Sequence, residues 1–234
     1  MNNLLIYIKQ RFHPLRFTAL GVFLLLFSKA NLRFDNTDFY HFCFLIVFLF
    51  IMRLYDDLQS AIIDRNKPHR IYTNETVKKG LSNYLILLAV FFLITLEFYD
   101  YKLAIKCLIF FIANHFLYLL FFKNINIRPY LSLLKYPLIV AALSNHFDLC
   151  TGAILFAFIA FESNDDPTFP HAKSVCFTSS IIAFTLLLPI NDHKYIWPFI
   201  ILFIGADAAL LTNKRQASYL FLLFFLFSKL INTL

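Results

Sequence analysis

Long apolar blocks with very few charges inside them constrain this chain more than any other feature. Hydrophobic residues make up 60% of the 234-residue sequence and charged residues only 15%, whereas an average soluble domain is roughly 25% charged. The blocks are roughly 17–22 residues long, which is the length of helix that crosses the hydrocarbon layer of a bilayer. The sequence therefore predicts an all-α, polytopic membrane bundle rather than a soluble domain.

Successive apolar blocks predict about nine transmembrane helices in a single domain covering residues 1–234. The predicted spans are approximately 14–31, 39–56, 80–98, 102–122, 130–146, 148–164, 174–190, 194–212 and 217–233. Residues 1–13 are predicted to form an amphipathic lead-in on the membrane surface. Its apolar side carries Leu4, Leu5, Ile8 and Phe12, and its polar side carries Lys9 and Arg11.

Lysine and arginine are distributed unevenly between the two sides of this predicted bundle. Most of the 21 Lys and Arg residues fall on the side of the N-terminus. Because cytoplasmic loops carry the excess of these residues, we predict a multi-pass protein of a bacterial cytoplasmic membrane with a cytoplasmic N-terminus. The same loops account for the net charge of +7, so we expect no nucleic-acid partner.

A cluster of acidic and basic side chains follows the second apolar block. Its oxygen-bearing members are Asp56, Asp57, Ser60 and Asp64, and its basic members are Arg65, Lys67 and Arg70. If the helix continues through Asp64, the four oxygen-bearing side chains share an arc of about 100°. Oxygen ligands suit Mg²⁺, and neighbouring Arg and Lys suit a diphosphate. The cluster therefore predicts a Mg²⁺-diphosphate site beside apolar helices, which favours a lipid diphosphate.

A second acidic cluster follows the sixth block, on the same predicted side of the membrane. Glu162, Asp165 and Asp166 form it, and Lys173 follows as a candidate diphosphate ligand. A single charged loop beside a membrane helix commonly does no more than anchor the helix at the headgroups. Two acidic clusters at corresponding helix ends favour one shared site, although the anchoring interpretation stays open at this point.

At these residues the chain resembles the UbiA superfamily of intramembrane prenyltransferases. The first family motif reads N-D-x-x-D-x-x-x-D, then basic residues and R-P. Its positions correspond to Asp56, Asp57, Ser60, Asp64 and Arg70, with Ile71 in place of the proline. The phrase R-L-Y-D-D-L-Q, residues 53–59, is similar to a variant branch of the family in which R-L-x-D-D is typical.

The second family motif reads roughly D-x-x-D-D-x-K-x-G. Glu162, Asp165 and Asp166 match its acids, whereas Thr168 and Pro170 replace its Lys and Gly. The stretch Y-L-S-L-L-K, residues 130–135, resembles the family's Tyr-to-Lys stretch at the start of the fifth helix. The resemblance extends over essentially the whole chain, including the nine-helix plan.

The resemblance implies Mg²⁺-dependent transfer of a prenyl group from a prenyl diphosphate to an aromatic or lipidic acceptor within the membrane, as in lipid or quinone biosynthesis. The implied metal ligands are Asp56, Asp57, Asp64, Glu162, Asp165 and Asp166, of which Asp57, Asp64 and Asp166 form the catalytic set. The implied diphosphate ligands are Arg65, Lys67, Arg70, Lys135 and Lys173. All would lie on the cytoplasmic side.

Two other functions remain open from the sequence. A non-catalytic relative could bind or move a lipid phosphate, or act as a scaffold, and the motif departures at Ser60, Ile71, Thr168 and Pro170 support this alternative. A transferase that uses a CDP-lipid also needs acidic motifs, but its D-x-x-D-G-x-x-A-R run is absent from the sequence. Asp207 and Tyr72 are additional candidates, Asp207 because a carboxyl inside an apolar block is a functional candidate by default.

Overall fold

The structure is a computed structural model, and every regular element in the part of the chain that it describes is a helix. The described residues are 3–29, 34–61, 64, 70–121, 124, 126–165, 169, 171–188, 195–212 and 215–231. The chain divides into two compact units. Unit 1 comprises Met1–Leu25 and Phe34–Ile109, and unit 2 comprises Leu26–Arg33 and Phe110–Leu234.

The helices of unit 1 are α1 to α4 and the first half of α5. Their bounds are α1 Asn3–Arg11, α2 Pro14–Ser28, α3 Asn36–Ser60, α4 Glu75–Tyr99 and α5 Tyr101–Phe121, with a short 3-10 helix at Ile71–Thr73. The last turn of α2 and the second half of α5 belong to unit 2. Asp35 caps α3 in a capping box with Asp38, and Asn74 caps α4. These side chains accept hydrogen bonds from backbone N–H groups that have no partner within the helix.

The N-terminal helix α1 packs differently from the predicted amphipathic lead-in. Tyr7 is fully buried and packs with Leu54, Leu58 and Tyr72, whereas Leu5, predicted on the apolar side, is 52% exposed. The prediction that Arg11 lies on the outer polar side is wrong, because its side chain points inward to Asp57. A polar tyrosine and an arginine face the core here because they meet a buried carboxylate there.

Unit 2 contains the second half of α5 and the helices α6 to α11. Their bounds are α6 Arg128–Leu133, α7 Lys135–Ser144, α8 Leu149–Asp165, α9 Ala172–Leu186, α10 Ile196–Leu211 and α11 Arg215–Ile231. The main packing pairs are α8 with α9, α10 with α11, and α8 with α7 and α11. A core of buried aromatic side chains from α9, α10 and α11 includes Phe184, Phe199, Phe221 and Phe225.

The predicted fifth span is divided into α6 and α7 at Leu134. Pro137 explains the break, because proline has no N–H to donate to the carbonyl of Leu133 and its ring clashes with that carbonyl. Helix α7 then ends at Asn145, which has a left-handed backbone (φ 60°). One continuous helix over 130–146 is therefore a wrong prediction.

Within the described residues, three helices, α3, α4 and α5, are long and apolar enough to cross a membrane. On α4 and α5, large apolar side chains point outward, including Phe91 at 70% and Phe98 at 90% exposure. Exposed apolar surface of this extent marks an interaction with a membrane or another apolar partner. The other predicted spans all contain a helix, but these helices have 17 residues or fewer. The described part of the chain is thus all-helical with three membrane-length helices, and nine crossings remain a prediction.

Candidate functional site

The first acidic cluster lies at the C-terminal end of α3. Asp56 and Asp57 are buried in the last helical turns, and the helix ends at Ser60 with Ala61 as its C-cap. Asp64 lies beyond this end and is also buried. The prediction that one continuous helix carries all four oxygen-bearing side chains is therefore wrong, and Asp64 is positioned by tertiary hydrogen bonds instead.

Asp57 accepts hydrogen bonds from two residues of α1. Arg11 donates from Nε to Oδ2 at 2.8 Å and from Nη2 to Oδ1 at 2.7 Å, and the Tyr7 hydroxyl donates to Oδ2 at 2.8 Å. Arg53, one turn earlier on α3, places its Nε 3.6 Å from Oδ2. Two parallel N–H to oxygen bonds are the strong, orientation-specific form of an arginine–carboxylate pair. Asp57 is therefore fixed within unit 1 by α1.

Asp64 is held by the segment that precedes α4. Arg70 donates from Nη1 to Asp64 Oδ2 at 2.5 Å, and the Tyr72 hydroxyl donates to the same oxygen at 2.7 Å. Arg70 Nη1 also donates to the Tyr72 hydroxyl oxygen at 2.6 Å. The 3-10 turn at Ile71–Thr73 brings these two side chains to one carboxylate, so the local backbone determines the contact.

The two carboxylate networks meet around the ring of Tyr72. The guanidinium carbons of Arg11 and Arg70 lie 5.7 and 5.9 Å from the centre of this ring, and the ring of Tyr7 lies 6.5 Å from it in an edge-on arrangement. Tyr72 is fully buried against the apolar end of α3. We call Tyr7, Arg11, Asp57, Asp64, Arg70 and Tyr72 the unit 1 cluster.

Both tyrosines of the unit 1 cluster are neutral hydrogen-bond donors at neutral pH. Burial, the charge of Asp57 and the hydrogen bond to it raise the pKa of Tyr7. Burial, the charge of Asp57 and the hydrogen bond to Asp64 raise the pKa of Tyr72. An ionised phenol beside either carboxylate would be repelled in a site from which water is largely excluded. The cluster therefore combines carboxylate–guanidinium pairs with phenols whose raised pKa keeps them protonated at neutral pH.

The arrangement of these carboxylates does not fit a bound Mg²⁺. Among the residues that the structure describes, no three His, Cys, Asp or Glu side chains come together as a set of metal ligands. Both oxygens of Asp57 accept from Arg11, and Asp64 accepts from Arg70 and Tyr72. Magnesium needs several oxygen ligands in near-octahedral geometry, and these oxygens are directed at protein donors.

The second acidic cluster lies in unit 2, at the end of α8. Glu162 and Asp165 are half-buried in its last turns. Lys135 is buried at the start of α7, with its Nζ 5.3 Å from the centre of the Tyr136 ring, which in turn stacks on Phe158 of α8 at 3.7 Å. Lys135 is thus placed beside α8, on the side of the helix that carries Phe158.

The remaining predicted site residues fall into two groups. Lys173 is exposed at the start of α9. Arg65, Lys67 and Asp166 lie outside the described residues, as do the motif departures Thr168 and Pro170.

Sequence reasoning missed the donors to Asp57, and it also missed Arg128. Arg53 carries a local signal, since it stands four residues before Asp57 and therefore on the same helix face. Tyr7 and Arg11 carry no such signal, because 50 and 46 positions separate them from Asp57. Arg128, buried at the start of α6 in unit 2, is a further buried cation that the motifs do not include.

A separate polar contact lies between α9 and α10 in unit 2. The hydroxyl of Ser180 donates to Asp207 Oδ1 at 2.5 Å. Asn164 of α8 donates to the Ser218 hydroxyl of α11 at 2.8 Å. Polar side chains in an apolar bundle satisfy one another across helices. Asp207 therefore has a structural role in packing α9 against α10.

Comparisons with protein-family models, with curated proteins and with solved structures found no match to this chain. The described residues define an all-helical protein with membrane-length apolar helices. One of these helices, α3, ends in a buried cluster of paired carboxylates, guanidinium groups and phenols.

Proposed function

We propose that this chain is a membrane-embedded prenyltransferase that binds the diphosphate of a prenyl diphosphate at the unit 1 cluster. The prenyl group is transferred to an aromatic or lipidic acceptor within the membrane. One observation carries the proposal: the buried cluster of Asp57, Asp64, Arg70 and Tyr72 lies directly at the end of α3, a helix of membrane length. A ligand with a diphosphate head and an apolar tail suits that position.

Arginine and tyrosine supply the binding chemistry for the diphosphate. The guanidinium of Arg70 is a planar donor that pairs with phosphate as readily as with the carboxylate of Asp64. The hydroxyl of Tyr72 is an additional neutral donor at the same position. The aromatic side chains of the apolar helices provide surfaces along which an isoprenoid tail can lie. Arg65 and Lys67 are further proposed diphosphate ligands, and for Lys135 and Lys173 that role stays a prediction from the sequence.

The resemblance to UbiA enzymes also implies Mg²⁺. Since the described carboxylates are directed at arginine and tyrosine donors, no step of the proposal is assigned to a metal ion. The acidic residues of both clusters remain the proposed catalytic set, namely Asp57, Asp64 and Asp166, with Asp56, Glu162 and Asp165 beside them. The requirement for a divalent cation is measured in the assay below.

The proposed location is a bacterial cytoplasmic membrane, with the N-terminus and the site on the cytoplasmic side. The distribution of Lys and Arg supports this orientation. The exposed apolar side chains of α4 and α5 support membrane embedding.

The test is transfer of radiolabel from prenyl diphosphates of several chain lengths in membranes that contain the protein, with Mg²⁺ or with EDTA. Labelled lipid product is expected with the native chain. Little or none is expected from a double variant with Asp57→Asn and Asp166→Asn. Asp35→Asn is the matched control, since Asp35 only caps the opposite end of α3 and asparagine caps helices equally well. Undiminished turnover in the double variant would refute the assignment.

A second candidate function is binding of a lipid phosphate without transfer. The engagement of Asp57 and Asp64 by arginine and tyrosine favours it, because these carboxylates are directed at protein groups. Retention of intact prenyl diphosphate by the purified protein, with no diphosphate released across a broad panel of acceptors, would select this function over prenyl transfer.

A further inference from the structure

We propose that Arg11, on the N-terminal helix α1, is a ligand-binding residue of the unit 1 cluster that exchanges Asp57 for the diphosphate when this anion binds. This inference rests on the proposed function, because it takes the unit 1 cluster to be the diphosphate site. It adds a residue that neither acidic motif contains, and it assigns Asp57 a role as the competitor of the anion.

The geometry of the Arg11 contact is the geometry that a phosphate group accepts. Its Nε and Nη2 atoms donate to two different oxygens of Asp57, at 2.8 and 2.7 Å. A phosphate group presents a similar pair of oxygens, and arginine binds both kinds of group through the same two-pronged contact. The Arg11 side chain is therefore already oriented to bind a tetrahedral anion. The Asp57 carboxylate occupies the position that this anion would take.

Arg11 and Arg70 both lie beside the ring of Tyr72. Both guanidinium groups lie within 6 Å of the centre of the same Tyr72 ring. Each is held by its own aspartate, Arg11 by Asp57 and Arg70 by Asp64. Two arginines beside one aromatic ring offer two donor pairs, and a diphosphate has two phosphate groups to receive them.

The exposure of the paired groups sets the side from which an anion can approach the unit 1 cluster. In the Arg11–Asp57 pair the arginine side chain is 18% exposed and the aspartate 5%. In the Arg70–Asp64 pair the values are 24% and 7%. The guanidinium groups thus form the outer side of the cluster and the carboxylates the inner side. An anion that arrives from water meets Arg11 and Arg70 before it meets either carboxylate.

Asp57 retains partners after such an exchange. The Tyr7 hydroxyl still donates to its Oδ2, and Arg53 remains 3.6 Å away on the same helix. A buried carboxylate stripped of every donor would carry a large desolvation penalty. These two remaining contacts lower the cost of releasing Arg11, so the exchange needs no rearrangement of α3.

The exchange predicts an effect of Asp57 on diphosphate affinity that is opposite to the effect expected if Asp57 were a ligand in the substrate complex. If Asp57 competes with the anion for Arg11, removal of its charge strengthens binding of a diphosphate in the absence of metal. The same change abolishes prenyl transfer under the proposed function. Binding and turnover are therefore expected to move in opposite directions in Asp57→Asn.

The experiment is calorimetric titration of the purified full chain with inorganic pyrophosphate in detergent and EDTA. Loss of a charge-assisted hydrogen bond is expected to change affinity by about tenfold or more. Asp57→Asn should bind more tightly than the native chain, and Arg11→Gln more weakly. Lys9→Gln is the matched control, because it removes the same charge from an exposed position on the same helix. Its affinity should stay within about twofold of the native value.

The outcomes separate the two proposals. Equal affinities for Arg11→Gln, Lys9→Gln and the native chain overturn the role of Arg11 and leave the proposed function in place, provided that Arg70→Gln weakens binding. No pyrophosphate binding by any variant overturns both. If Asp57→Asn does not yield folded protein, the role of Arg11 is decided by comparing the pyrophosphate affinities of Arg11→Gln and Lys9→Gln. Arg11→Lys, which keeps the charge but lacks the planar fork, should then fall between Arg11→Gln and the native chain.

Discussion

Arg11 and Asp57 stand 46 positions apart in the chain and are joined by two hydrogen bonds, one from Nε at 2.8 Å and one from Nη2 at 2.7 Å. This pair fixes the N-terminal helix to the end of α3 at the point where the charged residues are concentrated. Since the carboxylate is the more buried partner, these donors supply the hydrogen bonds that water would otherwise give it. The stability of unit 1 and the chemistry of its cluster are therefore linked through the same contact.

The Tyr7→Phe variant should destabilise unit 1. The change deletes one donor to Asp57 while the buried ring stays in place. Loss of a hydrogen bond to a charged group costs about 1.5–3 kcal/mol. The thermal midpoint in detergent is expected to fall clearly below that of the native chain. Tyr40→Phe, at an exposed position of α3, should leave the midpoint within error, and an equal fall in both variants would contradict the assignment.

Alkaline pH should weaken unit 1 through Tyr7 and Tyr72. Both have a pKa raised above the ordinary value, chiefly by burial and then by their aspartate neighbours, whereas tyrosine in the unfolded chain ionises near pH 10. Their contribution is thus fully present below about pH 10 and declines as the pH rises further, because the unfolded state releases the protons first.

Thermal midpoints measured between pH 8 and 11.5 check this expectation. The native chain should lose stability above about pH 10, and a Tyr7→Phe, Tyr72→Phe double variant should lose less over the same interval. Parallel curves for the two proteins would show that other groups cause the alkaline loss.

The Arg70→Lys variant should lose diphosphate affinity although the positive charge is kept. Lysine has no planar fork, and it cannot reproduce the contacts of Arg70 with Asp64 and Tyr72 from one rigid group. We expect the affinity for inorganic pyrophosphate, measured by calorimetric titration, to fall by about tenfold. Arg16→Lys, at an exposed position on α2, is the control and should bind as the native chain does. Unchanged affinity in Arg70→Lys would show that Arg70 is not a ligand of the diphosphate.

Ser180 and Asp207 should show coupled effects on the stability of unit 2. Ser180→Ala leaves the Asp207 carboxyl without the hydroxyl that donates to it, which is expected to cost about 1–3 kcal/mol. Adding Asp207→Ala should recover part of this loss, because no unsatisfied carboxyl then remains between the helices. A double-mutant cycle in detergent unfolding measures the coupling, and strictly additive effects would argue against the contact.

The acidic cluster of α3 was predictable from sequence because its signal is local. Asp56 and Asp57 close an apolar block, and Arg53 stands one turn before Asp57. The donors from α1 were not predictable, since no periodicity relates Tyr7 or Arg11 to a residue about 50 positions away. Arg11 was assigned to the polar side of α1 because of its charge, although it stands one helical turn after Tyr7 and therefore on the same face. The buried carboxylate of Asp57 accounts for its inward orientation.

The helix ends show the same division between local and tertiary causes. The break at Leu134 follows from Pro137, a signal present in the sequence that the hydropathy of residues 130–146 obscured. The end of α3 at Ser60 carries no comparable signal, because Asp64 continues the helical spacing of the acids. Asp64 is held instead by Arg70 and Tyr72, which lie six and eight residues further along the chain.

The packing of Tyr7 has a consequence for the order in which the protein assembles. Its buried neighbours extend along the chain from Leu54 to Leu81, so α1 cannot reach its final position until residues far downstream of it have been synthesised. Until Leu81 has emerged, the apolar cluster that buries Tyr7 is incomplete. Ribosome-stalled chains of increasing length should therefore show α1 becoming protected from protease only after that point, and early protection would contradict this order.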